Sequence, residues 1–591
     1  MQNRIIKKFL VTGLIFLFIC VSNTSSTNSR SIDKTKVLSS NSNILYVGGI
    51  GPGNYSKIQD AINNASDGYT IFVYNGIYQE KTIKIDKAIK LLGEDRNSTF
   101  LDGEYTEGII VSVRISDVTI REFTLQNCYA DGFGYAIRLF NASCIIENIK
   151  IADCIIKNSD RCIKYEDVVN LLITNCHFHH NPGQVTMGWD SSNIKIRDCV
   201  SYSNGKNWGG GWITPGAFEF GDSDTGASCS DVEIFNCTLY WNIGFGISFL
   251  SGSNIDIYQN QMYSNTWYGV YFYSTGPLYN IDFYDNHVYK NYIAGLFVSG
   301  VTEPGIEIHD NNISKNGQGL DYEGGIQIQS SGDCVTIQDN IISSNKGYGI
   351  YPRAGNIIIG NDIDKNTEYG IYLPSQQNTI IKYNNIRENK IGIYLRNNAN
   401  KISGNIISEN EYGIQISGML NMIDGNKISN NEFGIYINDM GFSNEIIRNE
   451  ISNNSEGIKL YGENFPLASN NISFNNFLNN NKDVFFKFIS YRLVIDLNYF
   501  KHNYWDRKRI LPKAIYGTYE IILTKLNLKF KWIYVDWYPA KTPNDIAQDF
   551  DNPIYKNIST DEKNEEYKII SIERNISNRV GFSSLISYRY S

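Results

Sequence analysis

The stretch "NEYGIQISGMLNMIDGNKISNNEFGIYI", which begins at Asn410, carries one pattern twice. Gly413-Ile414-Gln415-Ile416 returns as Gly434-Ile435-Tyr436-Ile437, 21 residues later. The copies belong to a longer series. The fourth residue of Ile-x-x-Asn-x-Ile-x-x-Asn recurs at Asn260, Asn286, Asn311, Asn340, Asn361, Asn384, Asn405, Asn426, Asn449 and Asn475. A second Asn usually follows five residues later, and then Gly-apolar-x-apolar. Each unit holds short runs of period-two alternation and no helical stretch. Strands of three to five residues cannot bury a face alone, but copies stacked on one another can. The repeat therefore predicts an all-β chain coiled as a parallel β-helix, with three short strands per turn and the Ile pointing inward. Asn is expected to hold the left-handed turns and to bond its copy on the next rung. A leucine-rich horseshoe has a similar period, but its Leu-x-Leu-x-x-Asn pattern is missing.

The same register runs back through Cys237, Cys199, Cys176, Cys154 and Cys128. One Cys per rung reads as a buried thiol stack that replaces the Asn ladder, with adjacent-rung disulfides as the alternative. Fifteen landmarks from Cys128 to Asn475 predict a stack of about 70 Å, at roughly 4.8 Å per turn. Its ends need covers, because open sheet edges invite pairing with other chains. "YSKIQDAINNASDG" supplies a helix with Ile58, Ala61, Ile62 and Ala65 on one face, and Ser56 with Gln59 as a capping box. After about Asn481, long alternations such as "LKFKWIYVDWYP" predict a β-rich C-terminal cap.

The first residues read as a processing segment. Arg4, Lys7 and Lys8 precede the apolar run "FLVTGLIFLFICV", and a small polar stretch follows. The expected organisation is a signal peptide over 1–25, a polar linker over 26–43, the N-terminal cap and first coils over 44–105, repeats over 106–490, the C-terminal cap over 491–551 and a polar tail over 552–591. The bulk is then extracytoplasmic, secreted or on the cell surface. An uncleaved signal anchor is the alternative, and no second spanning segment is seen. Asn141-Ala142-Ser143 is one of several glycosylation sequons. The 61 Asp and Glu against 53 Lys and Arg argue against a general nucleic-acid binder. Nothing in the sequence sets an oligomeric state.

Irregular rungs are where function is grafted onto such a scaffold. The largest interruption, 38 residues between Cys199 and Cys237, holds "NGKNWGGGWITPGAFEFGDSDTGASCSD". Trp208, Trp212 and Phe218 offer apolar platforms there, and Glu219, Asp222 and Asp224 offer carboxylates. Trp189 and Asp190 lie one rung back. Aromatic faces beside acids suit a sugar groove. A hydrolase would use two of the acids. A lyase or epimerase would need a base and cations that neutralise an acidic sugar, for which Arg161, Lys164 and Lys195 are candidates. Asp222 and Asp224 are candidates to bridge Ca²⁺. In "HFHHN", His177 and His179 share one strand phase and are candidate metal ligands, although a polar outer strand face is the favoured reading. Tyr351, Tyr372 and Tyr394 recur at one outward position, where they either bind a glycan or stack on one another.

The Asn-and-Ile rungs resemble the right-handed, single-stranded parallel β-helix repeats of the NosD-like, carbohydrate-binding and sugar-hydrolase family, within the pectin-lyase-like superfamily, over roughly residues 44–510. "HNYWD" at His502–Asp506 resembles that group's terminal rung. The resemblance implies an exported protein that binds polysaccharide or a cell-envelope glycan, or that builds surface structure. It implies as alternatives a lyase, epimerase or hydrolase acting on acidic polysaccharide, or a metal-maturation accessory. The opening also looks like that of pectin methylesterases, but Gln-Asp-Thr-Leu, Asp-Phe-Ile-Phe-Gly and Leu-Gly-Arg-Pro-Trp are missing. So are the Asn-Thr-Asp and Arg-Ile-Lys signatures of polygalacturonases and the Asp-Pro-His-Glu of alginate epimerases.

Overall fold

The computed structural model describes residues 43–105, 108–129, 134–209, 212–222, 225–301, 304–318, 324–330, 335–353, 355–374, 378–438, 440–463, 469–491, 498–523 and 526–546. The expected signal peptide, most of the linker and the polar tail lie outside them.

Each coil lays down three strands. The coil at Asn405 contributes Lys401–Ser403, Ile406–Ser408 and Tyr412–Ile416. The next contributes Met422–Asp424, Lys427–Ser429 and Phe433–Asn438. Corresponding strands pair in parallel and in register, so Ile402 meets Ile423, Ile407 meets Ile428, and Ile414 and Ile416 meet Ile435 and Ile437. All eight are fully buried. Each such side chain contributes about 1.5–3 kcal/mol on leaving water. The 21-residue interval is therefore one turn of a parallel β-helix with three long sheets. The first sheet, which carries Lys401–Ser403, has 19 strands among the described residues. At about 4.8 Å per strand the stack approaches 90 Å. It exceeds the expected length because the first coils carry neither Cys nor Asn at the landmark.

Asn ladders hold the corners. The backbone N–H and Nδ2 of Asn405 both donate to Oδ1 of Asn426 at 2.9 Å, and Nδ2 also reaches the carbonyls of Ile381 and Ser403. The same bonding links Asn260 through Asn503, and a second ladder runs from Asn181 through Asn480. A third, from Asn400 to Asn498, was not anticipated. The expected backbone role of Asn is corrected. The left-handed residue is usually the one before the ladder Asn, such as Gln259, Asp285 or Arg448 with φ of 52–54°. Displacing the turn by one residue leaves the Asn amide free to point along the stack. The motif glycine also gains a reason. A Cβ on Gly392 would lie 2.5 Å from the carbonyl oxygen of Gly413 and 3.2 Å from Nδ2 of Asn410.

Cys154, Cys176, Cys199 and Cys237 form a column of free, buried thiols. Each Sγ contacts backbone carbonyls, as Cys176 does at Thr174. Burial raises the pKa of Cys154, Cys176 and Cys199 well above the usual thiol range, which leaves them unreactive. The column meets the ladder where the N–H of Cys237 donates to Asn260 Oδ1. Cys128 was misplaced in that column. Phe123 precedes Cys154 there, its carbonyl accepting from Ile155 as that of Cys154 accepts from His177. Cys128 instead stands at the head of the second ladder, its N–H donating to Ser159 Oγ.

The helix Ile58–Asn64 closes the N-terminal end with Ile58, Ala61 and Ile62 buried. No Ser56–Gln59 box caps it. The Glu80 carboxylate accepts from the N–H groups of Ile58 and Gln59, and Gln59 bonds the backbone of Lys84. A borrowed carboxylate from the neighbouring coil does the capping. At the other end, Lys513–Leu523 and Leu526–Asp536 form an antiparallel hairpin. Buried Asp536 terminates the first ladder by accepting from the N–H and Nδ2 of Asn503 and from Trp505 Nε1.

Outer faces carry aromatic columns. Phe235, Tyr258, Tyr284 and His309 stack at centroid spacings of 5.0, 5.0 and 5.2 Å. His309 sits between Asp282 and Asp310, with Nε2 and Nδ1 at 2.7 and 2.8 Å from their carboxylates.

Two outcomes follow from these bonds. Asn405→Ala orphans the Asn384 donors and two carbonyls, at about 1–3 kcal/mol for each buried group. Denaturant unfolding should show a loss several times that of exposed Lys401→Ala; equal losses would contradict the ladder's role. Hydrogen bonding to Asp282, foremost, raises His309 to about 9. Its contribution is complete below the ordinary value of 6.5 and is lost as pH rises through about 9. Stability measured from pH 6 to 10 should fall more steeply than in His309→Gln.

Candidate functional site

The third sheet contains Tyr135–Leu139, Arg161–Glu166, Thr186–Trp189, Phe218–Phe220 and Ile247–Phe249 in successive coils. Alternation decides which side chains face out. Phe218 and Phe220 are fully buried, and Glu219 between them faces outward. The expectation that Phe218 offers a sugar platform is therefore corrected: it packs edge-on against Phe178, with centroids 6.1 Å apart, inside the core.

In-register pairing extends Glu219 into a column with Ser112, Arg138, Lys164, Met187 and Ser248. Two residues further along the strands, Glu166 pairs with Trp189. The Lys164 ammonium lies 3.6 Å from the centroid of the Trp189 ring and 3.9 Å from the Glu166 carboxylate. Its side chain is almost wholly covered, and that desolvation lowers its pKa against the opposing pull of Glu166. Beside it, Arg161 donates through Nη1 to the Tyr135 hydroxyl and through Nε to Gln184 Oε1, both at 3.1 Å. Gln184 Nε2 in turn donates to Glu219 Oε1 at 3.4 Å. Glu219 is only partly accessible. Burial pushes its carboxyl up to about 7, the Gln184 bond and Arg161 pull it down, and Asp222 pushes it up. A carboxyl poised at neutrality, two cations and an indole face thus share one surface.

The other expected residues scatter. Asp222 accepts from Thr225 Oγ1 at 2.8 Å in the turn after Glu219. Asp190 occupies a left-handed corner, and its carboxylate accepts from the Ser228 N–H. Asp224 lies outside the described residues, as do the side chains of Trp208 and Trp212. Their backbone belongs to an antiparallel ribbon of Gly205–Gly209 and Trp212–Pro215. Lys195 is not part of the site: it is in the first sheet and pairs with Glu233 at 2.5 Å.

His177 and His179 do flank inward Phe178 on one strand, as alternation requires. His179 stacks on Tyr202 at 5.0 Å and lies 2.9 Å from His180, Nδ1 to Nδ1. Burial pushes it down to about 4, so it is neutral at physiological pH. Among the described residues no three His, Cys, Asp or Glu side chains converge on a metal position. Tyr351, Tyr372 and Tyr394 do follow one another along the third sheet. Tyr372 and Tyr394 stack at 5.5 Å, Tyr351 meets Tyr372 edge-on at 5.6 Å, and Tyr372 is buried. Their ring faces are taken up by one another and by Tyr369 and Tyr348.

Sequence reasoning missed Tyr135, Arg138, Glu166 and Gln184. A signal for Arg138 was present. "AIRL", "CIKY", "VTMG" and "AFEF" are degenerate forms of Gly-apolar-x-apolar, and their third-position residues Arg138, Lys164, Met187 and Glu219 fall in the column.

No helix among the described residues is long and apolar enough to cross a membrane. A family model described as "Right handed beta helix region" matches residues 96–224, 217–354 and 322–420, together more than half of the chain. A second, "Periplasmic copper-binding protein (NosD)", matches residues 396–508. That segment has no Cys, three Met and a single His, His502, whose Nδ1 bonds the Tyr538 carbonyl. No curated protein matches the chain. Among solved structures, DFA-IIIase from Arthrobacter chlorophenolicus A6 in complex with DFA-III is similar at 12% identity, over 58% of this chain and 83% of that one, with a TM-score of 0.37. PfbA, a surface adhesin of Streptococcus pneumoniae, is similar at 13% identity over 65% and 86%, with a TM-score of 0.30. These likenesses concern the fold alone. With its three in-register sheets and its long family match, the chain belongs to the right-handed β-helix family.

Proposed function

We propose that this chain is an exported β-helix protein that binds an extended acidic polysaccharide across the outer face of its third sheet. The observation that carries this reading is the change of chemistry along that face. From Tyr351 to Tyr394 the outward column is self-stacked tyrosine, whereas Lys164, Arg161 and Trp189 present cations and an indole around Glu219. Sugar rings pack on aromatic faces, and carboxylates or sulfates pair with cations. The basic N-terminal region and the apolar run after it support export, to the cell surface or the medium.

A second reading, catalysis, has its own observation in Glu219. A carboxyl near 7 is suited to proton transfer at neutral pH. In a uronate lyase Glu219 would take the C5 proton as the C4=C5 double bond forms and the C4–O bond breaks, water protonating the departing oxygen, while Arg161 and Lys164 neutralise the sugar carboxylate. An epimerase would return a proton from the opposite face. Ca²⁺ at Asp222 and Asp224 would add to that neutralisation.

A binding and turnover screen of the secreted chain, with and without Ca²⁺, separates the readings. Saturable binding of uronic-acid or sulfated polymers, weakened about tenfold in Lys164→Ala and in Trp189→Ala, is the expected result. New reducing ends, unsaturated products or epimerised residues lost in Glu219→Gln would favour catalysis. Failure to bind any polymer would remove both.

Glu219 also makes a prediction free of any ligand. Its raised pKa favours the folded state fully below the ordinary 4.5, and this is lost as pH rises through about 7. Glu219→Gln should therefore resist denaturant better than the wild type at pH 8, with the difference shrinking towards pH 5. A pH-independent difference would mean that burial does not shift this carboxyl.

A further inference from the structure

We infer that a cavity one rung before Lys164 is a subsite for a single compact oxyanion, the carboxylate or sulfate ester of one sugar residue. This deepens the acidic-glycan reading and rests on it for the rest of the ligand. Four side chains on one face of two adjacent strands build the cavity. Ser112 pairs in register with Arg138, and Arg114 and Phe140 follow two residues along their respective strands. Pairing continues past the strand ends, where the Phe140 N–H donates to the Val113 carbonyl at 3.1 Å. Asn141 closes one side, its Nδ2 held by the Arg114 carbonyl at 2.8 Å. The space enclosed is about 520 Å³ at the C-terminal cap but only about 360 Å³ here, the small end of the range in which ligand pockets fall.

Three features make this smaller cavity an anion site. Among the described residues its lining has two guanidinium groups and no acid. The Arg138 guanidinium carbon is held 4.9 Å from the centroid of the Phe140 ring, which restricts the group without occupying its N–H donors. The Nε of Arg138 is buried and meets no acceptor among the described residues. A buried guanidinium donor without an acceptor is costly, and a planar or tetrahedral oxyanion supplies acceptors that match its fork. The larger cavity has no guanidinium in its described lining, and two of its three lysines are paired, Lys513 with Asp483 at 3.5 Å and Lys482 with Glu456 at 2.8 Å. Arg138 also stands next to Lys164 in register, so an anion held there is the neighbour of the surface that runs to Glu219.

The experiment uses the full chain from a host that does not glycosylate Asn141, and compares wild type, Arg138→Gln, Arg114→Gln and Lys164→Ala by calorimetry. The probes are oligogalacturonate, a sulfated oligosaccharide and a neutral oligosaccharide. Arg138→Gln should weaken the acidic probes at least tenfold and leave any neutral binding unchanged, and whichever acidic probe suffers the larger loss identifies the anion. Should Lys164→Ala weaken an acidic probe while Arg138→Gln and Arg114→Gln do not, the subsite is overturned and the glycan reading stands. Should no oligosaccharide bind, that reading fails by itself, and thermal unfolding in inorganic sulfate and in acetate decides the subsite. A rise in melting temperature above that in chloride, abolished by Arg138→Gln, upholds it, and an equal rise in both proteins refutes it.

Discussion

The fold depends on the primary amide of asparagine. One Asn side chain presents two donors and an oxygen with two lone pairs, and a β-helix corner presents orphan backbone groups at the same height on every rung. In this chain the two inventories match. Each ladder Asn takes two donations from the preceding rung at its Oδ1 and gives its own hydrogens to carbonyls of the preceding rung and of its own rung and to the following Asn. The corner is thereby satisfied without water, and register is fixed, since a slip by one residue would break every amide contact and turn the isoleucines outward. Isoleucine is the commonest buried residue; asparagine determines which residue stands above which.

That fixed register is what makes a surface site possible on strands of only three to six residues. A column of outward side chains is set by the same spacing that stacks the core, so residues far apart in sequence become neighbours. Lys164 and Glu219 are 55 positions apart yet only two rungs apart. The interruption after Cys199 does not disturb this, because its ribbon is extruded and the chain returns at Phe218 to the position its rung requires. Function and architecture divide along the strand: inward Phe218 and Phe220 hold Glu219 in a partly enclosed setting, and that setting raises its pKa.

Most of the architecture was legible in the sequence because a repeat announces its own period. The ladder, the inward isoleucines, the helical cap and the thiol column all follow from residue spacing. Errors arose where a local pattern was read without its neighbouring coil. Ser56 and Gln59 have the spacing of a capping box, but Glu80 reaches the helix from the next strand. Cys128 has an acceptable spacing to Cys154, but Phe123 holds that place. The candidate site was half legible. Glu219, Lys164, Arg161 and Trp189 do converge, whereas Phe218 was assigned by composition when alternation placed it inside. Arg138 was hidden because its motif had lost the glycine that marks the later rungs. Gln184 and Tyr135 could not be found from sequence, since their role lies in a hydrogen-bonded chain across four coils.

The thiol column has a mechanical consequence. A sulfhydryl offers one weak donor where an asparagine amide offers two strong ones, so the rungs from Cys154 to Cys237 are tied at one corner by weaker side-chain contacts, Sγ to the preceding rung's carbonyl at 3.7–4.0 Å, than those that follow. The second ladder, through Asn181, Asn204 and Asn242, still clamps another corner of the same coils. The coils with the weaker corner are those that carry Lys164, Trp189 and Glu219, so the face proposed to bind a glycan rests on the less tightly fastened part of the stack, and the Asn-laddered coils follow from Asn260.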